Sequence, residues 1–453
     1  MRAVRLKALA TELGGRCQGD DVQITGVAID SRQVTEGDLF IALPGQNADG
    51  HAYVAAAMAN GAAAAMVTQF VEVDGPQWRV EDAHRSLIEL ACRTRAQVDA
   101  PVIGVTGSNG KTTVKEMISG ILATLGPTHA THGNQNNELG VPLSLCQLSP
   151  TDHYAVIEMG CGRPGDINLL ASWARPTIGV VNNAAAAHLA GFGSVAAIAR
   201  CKGELFEALP AAGYAVINAD DDYAGLWEEQ AAHCHIVRFS LSGKPAEVSG
   251  EVIDDHQLKL TFPEFSMVVA RRLPGLHNAY NALAAATAAW AAGADAQAIA
   301  AGLANMQAVS GRLQILDGVA GSEIIDDSYN ANPASLRAAL ATQTQAPAPL
   351  WLVLGDMAEL GEAAVPSHTE AGQLARAYGV DRLYALGELS SHAASAFGSE
   401  GQVFSNHQTL IDQLQADLAP GVRVLVKGSR SARMDKVVAG LTATNSQEER
   451  ACC

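Results

Sequence analysis

Gly104-Val105-Thr106-Gly107-Ser108-Asn109-Gly110-Lys111-Thr112-Thr113 is the stretch that decides the fold. The β-rich run Val102–Thr106 precedes it and a helical pattern from Thr112 to Thr124 follows. Glycines let a backbone wrap so that its N–H groups face a polyphosphate, and a helix N-terminus adds a positive dipole. In that geometry Lys111 sits between the terminal phosphates and the Thr112 hydroxyl faces Mg²⁺. Gly107, Ser108, Asn109, Gly110, Lys111, Thr112 and Thr113 are therefore the expected nucleotide-binding residues. The strict pattern G-x-x-x-x-G-K-[ST] fails, because Val105 stands five before Gly110 and the glycines fall at 104, 107 and 110. Glycine-rich turns between strand and helix also occur without a ligand, but the Lys-Thr pair that follows favours phosphate.

Outward from the loop, Tyr154–Met159, Thr177–Val181 and Tyr214–Asn218 read as buried strands with helices between them. That rhythm predicts a mostly parallel sheet covered on both faces. Glu247–Ile253 and Gln257–Phe262 read as a hairpin, and Asn278–Ala292 as a closing helix. Beyond Ser310-Gly311 the rhythm returns with strands at Glu323–Ile325, Trp351–Leu354, Arg382–Leu386 and Val422–Val426. This predicts a Rossmann-like, doubly wound sheet. In such sheets ligands sit at the carboxyl ends of strands, where Glu158, Asn182-Asn183, Asp326-Asp327 and Lys427-Gly428 fall. The first eighty residues give a small α/β unit, with strands at Val22–Ile29, Asp38–Leu43 and Ala64–Thr68 and a turn at Gly75-Pro76. The chain is thus expected to be α/β with three domains, at 1–80, 81–311 and 312–453.

The composition agrees. At 453 residues and 48% hydrophobic the chain can bury several cores. Its net charge is −17, which argues against non-specific nucleic-acid binding and against an anionic membrane surface. The alanine-rich stretch Ala282–Ala294 is too short to span a bilayer. Met1–Lys7 carries charge without a following apolar core, so no secretory signal is expected. The eight cysteines include no C-x-x-C pair and fit reduced thiols in a cytosolic protein. The terminal Cys452-Cys453 does not fit C-a-a-X prenylation. No coiled-coil heptad is present, so a monomer is the expected state.

Three further residues carry chemistry. Glu158 ends a buried strand beside the phosphate loop, where a carboxylate suits Mg²⁺; a turn-bonding role is the alternative. His188, taken alone, reads as a packed or surface residue. Lys202 completes the stripe Val195, Ile198, Leu205, Leu209 at spacings of three and four, so it points inward. A buried ammonium must be neutralised, paired or modified. Addition of CO₂ would turn Lys202 into a metal-binding carbamate; the alternative is a lysine that snorkels to solvent.

Together these residues resemble the Mur ligase family of ATP-dependent amide ligases. Gly104–Thr112 matches its G-x-T-G-[ST]-x-G-K-[ST] loop, and Glu158, His188 and Lys202 occupy the family's acid, histidine and carbamylated lysine. Asp30-Ser31-Arg32, Gly133–Gly140, Asp327–Pro333, Leu354–Gly361 and Lys427–Ser431 are similar to the branch that adds D-alanyl-D-alanine. No D-N-P-R tetrapeptide of the diaminopimelate-adding branch is present.

The resemblance implies catalytic roles for Lys111, Glu158, His188 and Lys202. Thr112, Glu158, His188 and the Lys202 carbamate would hold two Mg²⁺ ions. Asn278 and Asn281 would contact adenine, although Asn278 could be a helix N-cap. Arg312, Asp327 and Tyr329 would reach the nucleotide when the last domain closes; otherwise Arg312 is a linker charge and Asp327 caps the helix from Pro333. Ser31 and Arg32 would hold the UDP end of a UDP-N-acetylmuramoyl-tripeptide. Asn134, Asn136 and Asn137 would meet its sugar and peptide, or else bond within their loop. Lys427 and Arg430 would meet the dipeptide carboxylate or the phosphates. The competing activities are addition of a single amino acid, a folylpolyglutamate-type reaction, and a nucleotide switch that makes no bond.

Overall fold

The computed structural model describes residues 1–45, 48–186, 189–343 and 348–442. His188 and the terminal Cys452-Cys453 lie outside the described residues. The central sheet has nine strands and is built around Val102–Thr106. Tyr154–Glu158 and Ile178–Val181 flank that strand in parallel. The chain leaves Val102–Thr106 for the edge strand Thr128–Ala130, returns to Tyr154–Glu158, then crosses to Ile178–Val181 on the other side. This switch of direction opens a crevice at the carboxyl end of the Val102–Thr106 strand.

Strand alternation feeds two cores. Val102, Ala155, Ile157, Val181 and Ile217 enter one; Ile103, Val105, Val156, Val180 and Val216 enter the other. Each fully buried aliphatic side chain contributes about 1.5–3 kcal/mol, and period-two patterning on both faces leaves no solvent side. The helix Leu276–Ala291 packs its alanines against the second core; short side chains let helix and sheet approach closely. Among the described residues no helix is long and apolar enough to cross a membrane.

The last sheet has six strands. Glu323–Asp327, Arg423–Lys427, Leu350–Gly355, Arg382–Leu386 and Gly401–Phe404 run parallel in that order, and Gln314–Asp317 adds an antiparallel edge. The first unit holds a five-stranded sheet in which Gln77–Arg79, beyond Gly75-Pro76, still pairs with Ala64–Val67.

Val22–Ile29 is not one strand. Gln23–Ile24 pairs with Val4–Arg5, whereas Gly26–Ala28 pairs with Asp38–Ile41 in the larger sheet. Between them the Thr25 N–H donates to Gly37 O at 2.9 Å. The alternation runs through unbroken because both halves bury one face, yet the chain changes partners at Thr25.

Candidate active site

Gly110 caps the Lys111–Leu122 helix at φ 79°. A Cβ there would lie 2.4 Å from Asn281 Oδ1 and 2.7 Å from Asn182 Nδ2, so glycine is required both by conformation and by space. The loop is clamped to the end of the Ile178–Val181 strand. Ser108 N–H donates to Asn183 O at 3.0 Å, and Asn109 N–H donates to Asn183 Oδ1 at 2.9 Å. The Asn182 and Asn183 amides donate to Asn109 O at 3.0 and 3.1 Å. Gly104 serves packing instead: a Cβ there would meet Leu205 Cδ1 at 2.9 Å. Lys111 Nζ donates to Gly107 O at 2.8 Å. Burial, then the Lys202 ammonium, push the Lys111 pKa down to about 8, against the pull of Glu158 and Cys161.

Beyond the loop lies a cavity of about 420 Å³, walled by Lys111, Asn136, Glu158, Cys161, Lys202 and Tyr329 among others. Glu158 is buried. Its Oε1 accepts from Asn136 Nδ2 at 2.7 Å, while Oε2 is buried without a partner. An orphaned carboxylate oxygen is costly unless a cation or donor meets it, and a hard oxygen is the donor a small divalent cation takes. Lys202 is also buried and does not reach solvent; its Nζ donates to Cys161 Sγ at 3.4 Å. A hydrogen bond from Cys201, together with the Lys202 and Lys111 ammoniums, pulls the Cys161 thiol down despite burial. The same bond and burial push Cys201 up. Among the described residues no cluster of three His, Cys, Asp or Glu side chains is arranged to hold a metal.

A residue without an expected role sets this wall. Lys115 is fully buried. Its Nζ donates to Thr131 O at 2.6 Å and Gly133 O at 3.2 Å, and pairs with Glu116 at 2.9 Å. Thr131 Oγ1 in turn accepts the Glu158 N–H at 3.1 Å. Lys115 thus anchors the loop that carries Asn134 and Asn136. Lys115→Met leaves two carbonyls facing an apolar chain, at a cost of about 2–4 kcal/mol. Its thermal midpoint is expected to fall by several degrees; an unchanged midpoint would remove Lys115 from this role.

A second cavity of about 280 Å³ shares Asn109, Gly110 and Arg312 with the first. Asn278, Asn281, His277, Asp327 and Lys427 are on its wall. Asn278 is not the helix cap. The helix begins at Leu276 after Gly275, and Asn278 donates back to Pro274 O at 2.8 Å. Asn281 donates to Asn278 Oδ1 at 3.0 Å and accepts from Asn182 at 2.8 Å. This amide chain ties the helix start to the phosphate loop. Burial, Lys427 and Arg271 push the His277 pKa down to about 4, so its imidazole is neutral at physiological pH.

Asp327 does not cap the next helix either. It pairs with buried Lys427, whose Nζ also donates to Asn330 O at 2.9 Å. Burial raises Asp327 and lowers Lys427, each opposed by the charge of the other. Asn332 is the cap, accepting from the Ser335 N–H at 2.8 Å. Asn332 Nδ2 also donates to Asn109 Oδ1 at 2.8 Å, so the last sheet reaches the phosphate loop directly. The Arg312 guanidinium stands 4.1 Å from the Tyr329 ring centre, and exposed Arg430 5.8 Å from it. Burial pushes the Tyr329 hydroxyl pKa up, opposed by the Arg312 guanidinium.

Not every expected residue joins these cavities. Ser31 and Arg32 form a turn in the first unit, outside both linings. Arg32 grips Asp30 at 2.9 and 2.6 Å and draws its pKa down to about 2. Asn137 lines the larger cavity, but its Oδ1 accepts the Gly140 N–H at 2.8 Å. Lys427 lies on the smaller cavity. Asn182, Asn183, His277, Asn332 and Cys161 join the site without having been assigned a role from sequence.

A clamped phosphate loop that opens on two connected cavities defines the chain as a P-loop nucleotide-dependent enzyme on an α/β scaffold. The family models described as Mur ligase family, catalytic domain, as Mur ligase middle domain and as Mur ligase, glutamate ligase domain match residues 23–98, 105–289 and 311–430. The UDP-N-acetylmuramoyl-tripeptide–D-alanyl-D-alanine ligase of Escherichia coli strain K12 is 42% identical, over 97% of this chain and 99% of that one. MurF from Acinetobacter baumannii superposes with a TM-score of 0.86 at 32% identity, over 97% and 98% of the chains. MurF ligase from Thermotoga maritima in complex with ADP gives 0.77 at 28% identity, over 92% and 96%. The chain belongs to the Mur ligase family.

Proposed function

We propose that the chain uses ATP to join D-alanyl-D-alanine to UDP-N-acetylmuramoyl-tripeptide, giving the UDP-pentapeptide precursor of peptidoglycan. The full-length likeness to the Escherichia coli ligase supports this substrate pair. The carrying observation is geometric: two cavities meet at Asn109 and Gly110, one for a nucleotide and one for a second reactant. A nucleotide switch needs only the first.

A carboxylate acylates poorly because its leaving group is oxide. Phosphorylation by ATP makes an acyl phosphate; the dipeptide amine attacks it, and the tetrahedral intermediate collapses to amide and phosphate. Lys111 neutralises charge where the terminal phosphate meets the carboxylate. The Thr112 hydroxyl and the unpartnered Glu158 oxygen would hold Mg²⁺, which when bound supplies further positive charge to the phosphate oxygens. As an ammonium Lys202 repels a cation; as a carbamate it would be a second ligand, with His188, for a second Mg²⁺. Asn278, Asn281 and neutral His277 offer amides and an imidazole to adenine. Arg312, stacked on Tyr329, bridges nucleotide and acceptor. Asn136 on the cavity wall, with Asn134 on the same loop, would meet the peptide, and Ser31 and Arg32 would hold the UDP end in residues 1–80. Residues 81–311 would carry ATP and 312–453 the dipeptide, with Arg430 the cation for its carboxylate. Lys427, committed to Asp327, holds the nucleotide side of the cleft.

The acyl phosphate is tested by oxygen transfer. With ¹⁸O in the tripeptide's terminal carboxylate, each turnover is expected to deliver one label to the released phosphate. Unlabelled phosphate would contradict the intermediate. The pH dependence has a definite sign. Lys111 is charged below its free-enzyme pKa of about 8, so kcat/KM for ATP is expected to fall above that pH. Bound phosphate favours the ammonium, so kcat at saturating ATP keeps its plateau to higher pH. A kcat/KM profile flat to pH 10 would exclude Lys111 as the titrating group.

A further inference from the structure

The two cavities meet along a seam. Asn109, Gly110, Arg312 and Ser335 belong to the walls of both, and Asn332 to the wall of the larger. Across this seam Asn332 Nδ2 donates to Asn109 Oδ1 at 2.8 Å, a contact between residues 223 apart in the chain. Each partner is held from its own side. Asn109 belongs to the phosphate loop, where its N–H donates to Asn183 Oδ1 and its carbonyl accepts from the Asn182 and Asn183 amides. Asn332 stands at the start of the Pro333–Gln343 helix. Its Oδ1 accepts the Ser335 N–H at 2.8 Å, and its own N–H donates to Ser335 Oγ at 3.0 Å. With Oδ1 committed to the cap, the amide has its N–H₂ left to offer, and that group meets Asn109. A cap needs an oxygen alone, so serine or aspartate would serve the helix as well. The amide nitrogen is the part of Asn332 that the helix does not require.

We propose that Asn332 is a positioning residue whose bond to Asn109 holds the last unit against the phosphate loop and so keeps water from the acyl phosphate. On the ligase reading, on which this rests, phosphate passes from nucleotide to carboxylate at the seam, and the acyl phosphate then awaits an amine. Water competes with that amine. It adds at the carbonyl carbon, the bond from that carbon to the phosphate oxygen breaks, and carboxylate, phosphate and a proton result with no amide made. Excluding water from a closed site suppresses such side reactions. A bond that joins the two walls excludes it at the seam, and walls that part admit it.

The test compares the full chain with Asn332→Ser, Asn109→Ala and the double variant, counting phosphate released per UDP-pentapeptide made. Serine keeps a cap oxygen but ends short of Asn109. Asn109→Ala keeps the backbone bonds to Asn182 and Asn183. The unaltered chain is expected to release one phosphate per product. Each single variant is expected to release about two- to ten-fold more, the scale of one neutral hydrogen bond, with a nearly unchanged thermal midpoint. The double variant is expected to match the singles, because both remove the same bond. The proposal is overturned by a ratio of one in both single variants, by excesses that multiply in the double variant, or by an excess seen only with a clear fall in the midpoint. If the unaltered chain makes no UDP-pentapeptide, it is the ligase reading that fails, and amide hydrogen exchange still decides the contact. The peptide spanning 104–113 is expected to exchange faster in Asn332→Ser; equal exchange would show that Asn332 does not hold the loop.

Discussion

Lys111→Met is expected to lower kcat by about 10³-fold, the scale for removing a group that stabilises charge in a transition state. The chain carries a net −17 charge, so an anionic nucleotide depends on local positive charge. On the proposed reading Lys111 supplies it from the helix start, where its Nζ rests on Gly107 O. Methionine keeps most of the volume and removes only the charge. Because Lys111 Nζ donates to a single loop carbonyl, the thermal midpoint is expected to stay nearly unchanged. Lys111→Arg is expected to fail as well, since a planar fork does not replace a point charge that fits under one carbonyl. Steady-state kinetics with a melt on the same samples check this; a loss under ten-fold would place the phosphate contact elsewhere.

Glu158→Gln carries the second large effect. Its carbonyl can still accept from Asn136, so that contact survives. The unpartnered oxygen becomes an amide N–H₂, which repels a cation. On the proposed metal role, loss of that oxygen is expected to lower kcat by about 10²–10³-fold and to raise the Mg²⁺ concentration needed for half-maximal rate. Stability is expected to hold, because the Asn136 contact survives and the second oxygen has no hydrogen bond to lose. A Mg²⁺ titration with an unshifted midpoint would show that Glu158 does not hold the metal.

The turn from strand to helix at Gly107–Gly110 was legible in the sequence because its signal is local: the glycines, Lys111 and Thr112 lie within a few residues of one another. Lys202 was legible because Ile198 and Leu205 mark the face on which it lies, and all three are buried. Lys115 lies on the buried face of its helix with Val114, Ile118 and Leu122. Four residues after Lys111, however, a second lysine carried no expectation, because lysines are seldom fully buried. Contacts made across the chain left no such trace. Asn182 meets Asn281, and Asp327 meets Lys427 at a separation of 100 residues. Nothing in their local patterns announces these pairs, so a helix cap stayed open as the alternative for Asp327, a place that Asn332 holds. For Asn278 the alternative of a cap stayed open because an Asn shortly after Gly275 suits one, whereas the helix has already begun at Leu276. Edge strands such as Thr128–Ala130 and Gln314–Asp317 were silent because strands with little burial carry little apolar alternation.

Phosphate release from ATP and Mg²⁺ with UDP-N-acetylmuramoyl-tripeptide, with and without D-alanyl-D-alanine, tests the central claim most directly. Release that requires both substrates and yields a UDP-pentapeptide by mass is the predicted result. Release that ignores the dipeptide, or that requires a single amino acid instead, would contradict it.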